Sequence, residues 1–233
     1  MKTRITSYLL LSSAVLFGFV QSPARGQEVI ESRADEEIIE VTYTVPAPDI
    51  TVLPDGFTSV ILEGEGFSKM FGSPGSPVLP VRSVRMLLPP DREVMEVEVI
   101  PGKKIAVKGE YQVEFARIPR PISAPPVETD DEKPDPAIYA SSAPYPGRLD
   151  SPPTIQYLRG YPILTMLLHP VEYIPSEGKI SHYQSLTIRV KHGPVSRTLD
   201  RQPGSVMPRR GLASDEERVR SAVDNPGAMK MFK

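Results

Sequence analysis

Few side chains in this sequence are able to carry chemistry. It has three histidines, His169, His182 and His192, and no cysteine. Without cysteine there is no thiol nucleophile, no thiolate metal site and no c-type haem attachment. His169 and His182 fall in successive apolar stretches, where neighbouring strands could bring them to one metal. No third ligand is placed by the spacing, so they read as ordinary half-exposed sheet residues. Asp130, Asp131, Glu132 and Asp135 crowd the run ETDDEKPD. Oxygen-rich loops of this kind can hold Ca²⁺, but the spacing matches no calcium loop, and the run reads as a solvated acidic loop. There is no G-x-S-x-G elbow, phosphate-binding glycine loop or H-E-x-x-H. A glycosidase needs two carboxylates at a defined separation, which the sequence does not show, and there is no tryptophan to stack a sugar. The chain reads as non-catalytic, with no metal and no cofactor expected.

Composition narrows the partners. Lys2 and Arg4 precede the uncharged apolar run from Ile5 to Val20, and Ala24-Arg25-Gly26 supplies small residues before a cut. This is the pattern of a secretory signal peptide over residues 1–26, cleaved between Gly26 and Gln27. The run is short for a membrane span, so no membrane association is expected after cleavage, and the product is expected to be secreted or periplasmic. Taking Lys2, Arg4 and Arg25 from the 27 basic residues leaves 24 against 29 acidic ones, a formal charge of −5. That balance gives no support for nucleic-acid binding.

The elements that would position anything are strands. Proline occupies 27 of 233 positions, about twice the usual ~5%, and proline avoids helix interiors and central strands. Between the prolines the apolar residues alternate. Ile39, Val41, Tyr43 and Val45 share one face. Met95, Val97 and Val99 oppose Glu96 and Glu98. Ile105 and Val107, then Tyr111, Val113 and Phe115, keep period two around Gly109, a bulge or turn. Further strands are expected in 57–66 and 78–89. The runs 161–175 and 179–192 are expected to pair as a hairpin about the turn Pro175-Ser176-Glu177-Gly178. Residues 120–153, rich in proline and acid, read as a long loop. A helix is expected over 214–223, with Ser214 as its cap and Glu217 completing a capping box. The fold class that follows is all-β, an antiparallel β-sandwich (jelly-roll-like), with one short helix in a C-terminal tail. Residues 27–195 would form the sandwich and 196–233 a linker and helix.

One combination of motifs is specific. Gly75-Ser76-Pro77-Val78-Leu79-Pro80 gives G-x-P-x-L-P, followed by an apolar strand ending in Leu88-Pro89. A Tyr-Pro follows in Ala143-Pro144-Tyr145-Pro146, and then the block HPVEYIPSEGKI. Over residues 41–192 this order resembles the propeptide domain of the gingipain-like cysteine peptidases, family C25. The resemblance implies a β-sandwich prodomain that inhibits its peptidase and assists its folding. The partner would be a C25-like peptidase domain, in cis in an intact gene or in trans here. It also implies that a basic loop residue enters the peptidase's specificity pocket. The candidates are Lys133, Arg120, Arg117 and Arg148, each of which also reads as a solvated surface charge. Lys133 and Arg120 both precede proline, and the bond before proline resists many peptidases. Arg209 and Arg210, in MPRRGL, read equally as a processing step and as a solubilising loop. The run VRSAVDNPGAM resembles the junction into the peptidase domain. With no cysteine, no catalytic residue carries over, and the chain is expected to be a free-standing propeptide or the product of a truncated gene. The alternative is a secreted β-sandwich that binds extracellular protein or glycan.

Overall fold

The structure, a computed structural model, describes residues 27–28, 38–70, 72–118, 123, 133–194 and 213–232. The expected signal segment and Gly26 lie outside the described residues, as do Arg120, Arg209, Arg210, Asp130, Asp131 and Glu132. Thirteen strands are described: β1 Gln27–Glu28, β2 Ile38–Thr44, β3 Asp49–Val52, β4 Thr58–Ile61, β5 Phe67–Met70, β6 Leu79–Leu87, β7 Arg92–Pro101, β8 Lys104–Ala106, β9 Thr154–Leu158, β10 Tyr161–Leu168, β11 Val171–Ile174, β12 Lys179–Tyr183 and β13 Ser185–Pro194. Helices are few: α1 Pro136–Tyr139, α2 Ala213–Ala222, and two 3-10 turns at Pro175–Glu177 and Pro226–Phe232. Among the described residues no helix is long and apolar enough to cross a membrane.

Two four-stranded antiparallel sheets face each other, in orders β1-β2-β13-β7 and β5-β6-β10-β9. Alternation creates the core between them. Ile39, Val41 and Tyr43 of β2 and Leu186, Ile188 and Val190 of β13 meet Val84, Met86, Leu164, Met166 and Leu168 from the other sheet. Each such side chain contributes about 1.5–3 kcal/mol on burial. The outward face of the first sheet carries cross-strand ion pairs, Arg189 between Glu40 and Glu98 and Lys191 with Glu96. The fold is therefore an antiparallel β-sandwich, as the pattern implies.

Three local expectations need correction. Met95 does not share the inward face with Val97 and Val99: it is 69% exposed. The β7–β13 register jumps from Glu96↔Lys191 to Val94↔His192, so Met95 is the extra residue of a β-bulge and Val94 turns inward instead. The two runs around residues 175–178 pair only over β11 and β12. Pro170 has no N–H to extend a ladder, and the chain leaves the sandwich at His169-Pro170 and returns at Gln184. There β10 pairs with β6 and β9, and β13 with β2 and β7. Between the crossings, β11, β12 and β8 make a separate three-stranded sheet. Helix α2 begins at Ala213, so Ser214 lies inside the first turn and not at its cap.

The tail is packed on the sandwich. Val219, Val223 and Met229 bury against Leu87, Tyr161 and Ile163. Strand β5 covers β6 only from Leu79 to Arg82. Beyond that, the outward backbone groups of β6 meet the tail. Asp224 N–H donates to the Arg85 carbonyl (2.7 Å), and the Arg85 N–H donates to Asp224 Oδ2 (2.8 Å). Leu87 N–H donates to Asn225 Oδ1 (2.7 Å), and Asn225 Nδ2 donates to the Leu87 carbonyl (3.0 Å). Two side chains thus complete a ladder that a further strand would otherwise supply.

Candidate functional site

The stretch 120–153 expected as one loop is, from residue 133 on, a packed connection. Asp135 caps α1, accepting from Ala137 N–H at 2.8 Å, and Pro136 opens the helix where its missing N–H costs nothing. Tyr139 and Tyr145 pack against the second core, formed by Val45, Val60, Leu62, Leu79, Val113, Val171, Tyr173 and Ile180. Farther on, Asp150 bridges to Leu168 beside β10. The aromatic residues among the prolines anchor this connection.

Apart from residue 123, residues 119–132 lie outside the described residues, and the flanking stems at 118 and 133 share one platform. Segment 111–116 is held from below by tyrosines. Tyr173 Oη donates to the Tyr111 carbonyl (2.9 Å) and accepts from Val113 N–H (3.4 Å), while Tyr139 Oη donates to the Val113 carbonyl (2.7 Å). Burial pushes the Tyr139 phenol far above its usual range, with Tyr173, Tyr145 and Glu114 adding to it. On one side, Thr58 of β4 lies parallel to Val113. Lys69 of β5 reaches both Ser59 Oγ and the Glu114 carboxylate. On the other side lies the turn 73–76. Gly75 N–H donates to the Ala116 carbonyl (2.7 Å), Ala116 N–H to the Ser76 carbonyl (2.8 Å), and Asp135 N–H to the Gly75 carbonyl (2.9 Å).

The candidate cations divide on this frame. Arg117 is engaged with the scaffold: its guanidinium pairs with Asp55 at 2.9 Å and lies over the Phe115 ring at 5.0 Å. Phe115 in turn meets Phe57 edge-on, with centroids 5.1 Å apart. Lys133 is exposed, at the start of the returning stem. Arg148 is elsewhere, beside His169 and Asp150 at the end of β10: burial lowers His169 and the Arg148 charge adds to that, whereas burial raises the Asp150 carboxyl against the opposing pull of Arg148. Arg117 and Lys133 therefore flank one turn, and Arg148 belongs to another corner. Asp55, Phe57, Gly75 and the tyrosine struts are site residues that sequence reasoning missed. Only the glycine of G-x-P-x-L-P carried a signal.

His169 and His182, expected as half-exposed sheet residues, are instead buried, each with one ring nitrogen lacking a hydrogen-bond partner. Burial lowers both from the usual 6.5, and the Arg148 charge adds to the effect at His169. Among the described residues no three His, Cys, Asp or Glu side chains converge as a metal site. What this platform can do is present a backbone excursion and a cation from a rigid base.

Comparison with known proteins agrees with that architecture. The model of the C25 peptidase propeptide family (Propeptide_C25) matches residues 27–206, and the chain belongs to this family, that of the propeptide domain and not the catalytic one. Two solved structures from Porphyromonas gingivalis share the fold. One is the complex of RgpB pro- and mature domains, with TM-score 0.61 and 14% identity, covering 86% of this chain and 98% of that one. The other, on the zymogenic latency of gingipain K, has TM-score 0.58 and 16% identity, covering 75% and 96% respectively. No curated protein matches the chain.

Proposed function

We propose that this chain is an exported propeptide that inhibits, and assists the folding of, a C25-type cysteine peptidase, and is not itself catalytic. The observation that carries the reading is the platform of a C25 propeptide-family sandwich from which Lys133 projects, exposed and followed by proline. A stem anchored at Asp135 on Gly75 keeps less freedom to lose on docking, which lowers the ordering cost of binding. The Lys133 ammonium would enter the peptidase's specificity pocket, and Pro134 would protect the following bond from cleavage. Arg120 is the second candidate for that pocket. The similar structure of RgpB contains pro- and mature domains in complex, and the proposed partner here is a peptidase domain of the same class, in cis or in trans. Export would use residues 1–26, with cleavage before Gln27, and N-terminal sequencing of the exported product checks it. Arg209-Arg210 would be a processing step.

The test mixes residues 27–233 with a cognate C25-type peptidase and measures residual activity. Inhibition at micromolar chain is expected. If the plug ammonium pairs with a pocket carboxylate, Lys133→Ala costs about 2–5 kcal/mol, roughly 30-fold or more in the inhibition constant. Unchanged peptidase activity at micromolar parent chain overturns the inhibitory reading. If Lys133→Ala and Arg120→Ala both inhibit as well as the parent, the plug assignment falls.

A further inference from the structure

Gly75 bonds both stems through its backbone. Its N–H reaches the Ala116 carbonyl, and its carbonyl receives the Asp135 N–H. Its φ is +84°, a conformation that side-chain-bearing residues rarely adopt. A Cβ here would stand 3.0 Å from Asp135 N and 3.3 Å from the Lys133 carbonyl oxygen. Glycine is required twice, for the turn and for the close approach of the returning stem. The rest of the motif builds the same seat. Ser76 N–H and Oγ both donate to the Ser73 carbonyl, closing the turn. Pro77 bridges to Phe115, and Val78 N–H donates to the Glu114 carbonyl. Leu79 then enters the second core.

We propose that Gly75 is a positioning residue for peptidase inhibition, a clasp that fixes the Arg117 and Lys133 stems relative to each other. The proposal rests on the reading of the stem cation as the inhibitory group. It assigns to the G-x-P-x-L-P run a role beyond strand initiation. Opening the clasp leaves the sandwich folded but lets the Lys133 stem sample positions from which it cannot dock. If the competent fraction drops to about a tenth, the apparent inhibition constant rises about tenfold.

The experiment compares Gly75→Ala with Gly56→Ala. Gly56 has almost the same φ, +85°, but nothing lies within 4 Å of its would-be Cβ. It carries the backbone strain without the clasp. Gly75→Asn, which tolerates positive φ better, tests the collision with less strain and serves if Gly75→Ala folds poorly. Inhibition constants and amide hydrogen exchange are measured for each chain. The expected result is about tenfold weaker inhibition and faster exchange at Asp135 and Ala116 in both Gly75 variants, with Gly56→Ala like the parent. Parent-like inhibition by the Gly75 variants, or an equal loss in Gly56→Ala, overturns the clasp. Should the parent itself inhibit no C25 peptidase, the functional reading fails separately. Exchange at Asp135 then decides: acceleration confined to the Gly75 variants supports the clasp, and unchanged exchange refutes it.

Discussion

Replacing Asn225 by alanine tests whether the tail belongs to the fold. Asn225 is buried, and its amide satisfies both the N–H and the carbonyl of Leu87, a residue with no exposed surface. Neither group has another route. The Leu87 N–H points away from β10, since the alternate residue, Leu88, is the one that donates to Pro162 across that pairing. Two hydrogen bonds at about 0.5–1.5 kcal/mol net, with about 1–3 kcal/mol when a buried donor is stranded, put the loss near 2–4 kcal/mol. At about 2–4 °C per kcal/mol for a chain of this size, the Tm falls by roughly 5–15 °C. Urea unfolding of residues 27–233 measures it: the midpoint should drop while the m-value holds, because the surface exposed on unfolding scarcely changes. A loss below about 0.5 kcal/mol, the range of an ordinary surface substitution, would mean that the 213–232 segment is not held as described.

Other outcomes follow from the same geometry. Arg82, whose side chain is 8% exposed, pairs with Asp224 at 3.4 Å and lies over the Tyr43 and Phe67 rings. Arg82→Ala should cost about 3 kcal/mol in urea unfolding by removing the guanidinium that faces the Asp224 carboxylate, and parent-like stability would remove this pair from the account. His169 and His182 are held below 6.5 mainly by burial, so the unfolded chain binds more protons than the folded one. Stability is then full above that value and falls as pH drops below it, by at most about 1.4 kcal/mol per pH unit for each histidine. The doubly substituted His169→Gln, His182→Gln chain should show a flatter urea midpoint between pH 7 and 5, and an unchanged slope refutes the assignment. Arg117 and Asp55 are each roughly two-fifths exposed, so a double-mutant cycle should return only about 0.2–1 kcal/mol of coupling. A much larger value would mean that Asp55 and Arg117 lie deeper than their exposure indicates.

Alternation made the sandwich legible before any coordinates. The faces of β2 and β13 and the glycine turn between β11 and β12 all rest on a period of two residues, which short-range sterics enforce. The order of motifs around Pro77, Tyr145 and Pro170 pointed to the C25 propeptide family, and the family match agrees. Bulges escaped, because an extra residue such as Met95 is visible only against its partner strand. The crossing at His169-Pro170 escaped for a related reason. A run apolar from Tyr161 to Ile174 looks continuous in sequence, although its two halves serve different sheets.

The placement of the candidate cations was not legible in the sequence. Sequence alone determined that the chain is made of strands, that it has no cysteine for thiol chemistry, and that cations stand among prolines between residues 117 and 148. It did not determine which cations share a position, because that depends on contacts between segments far apart in the chain. Tertiary structure put Arg117 and Lys133 on either side of Gly75 and sent Arg148 to the end of β10. It also turned Asp224 and Asn225 into substitutes for a missing strand. Local periodicity is written residue by residue, whereas a backbone group's partner is settled only when the chain closes on itself.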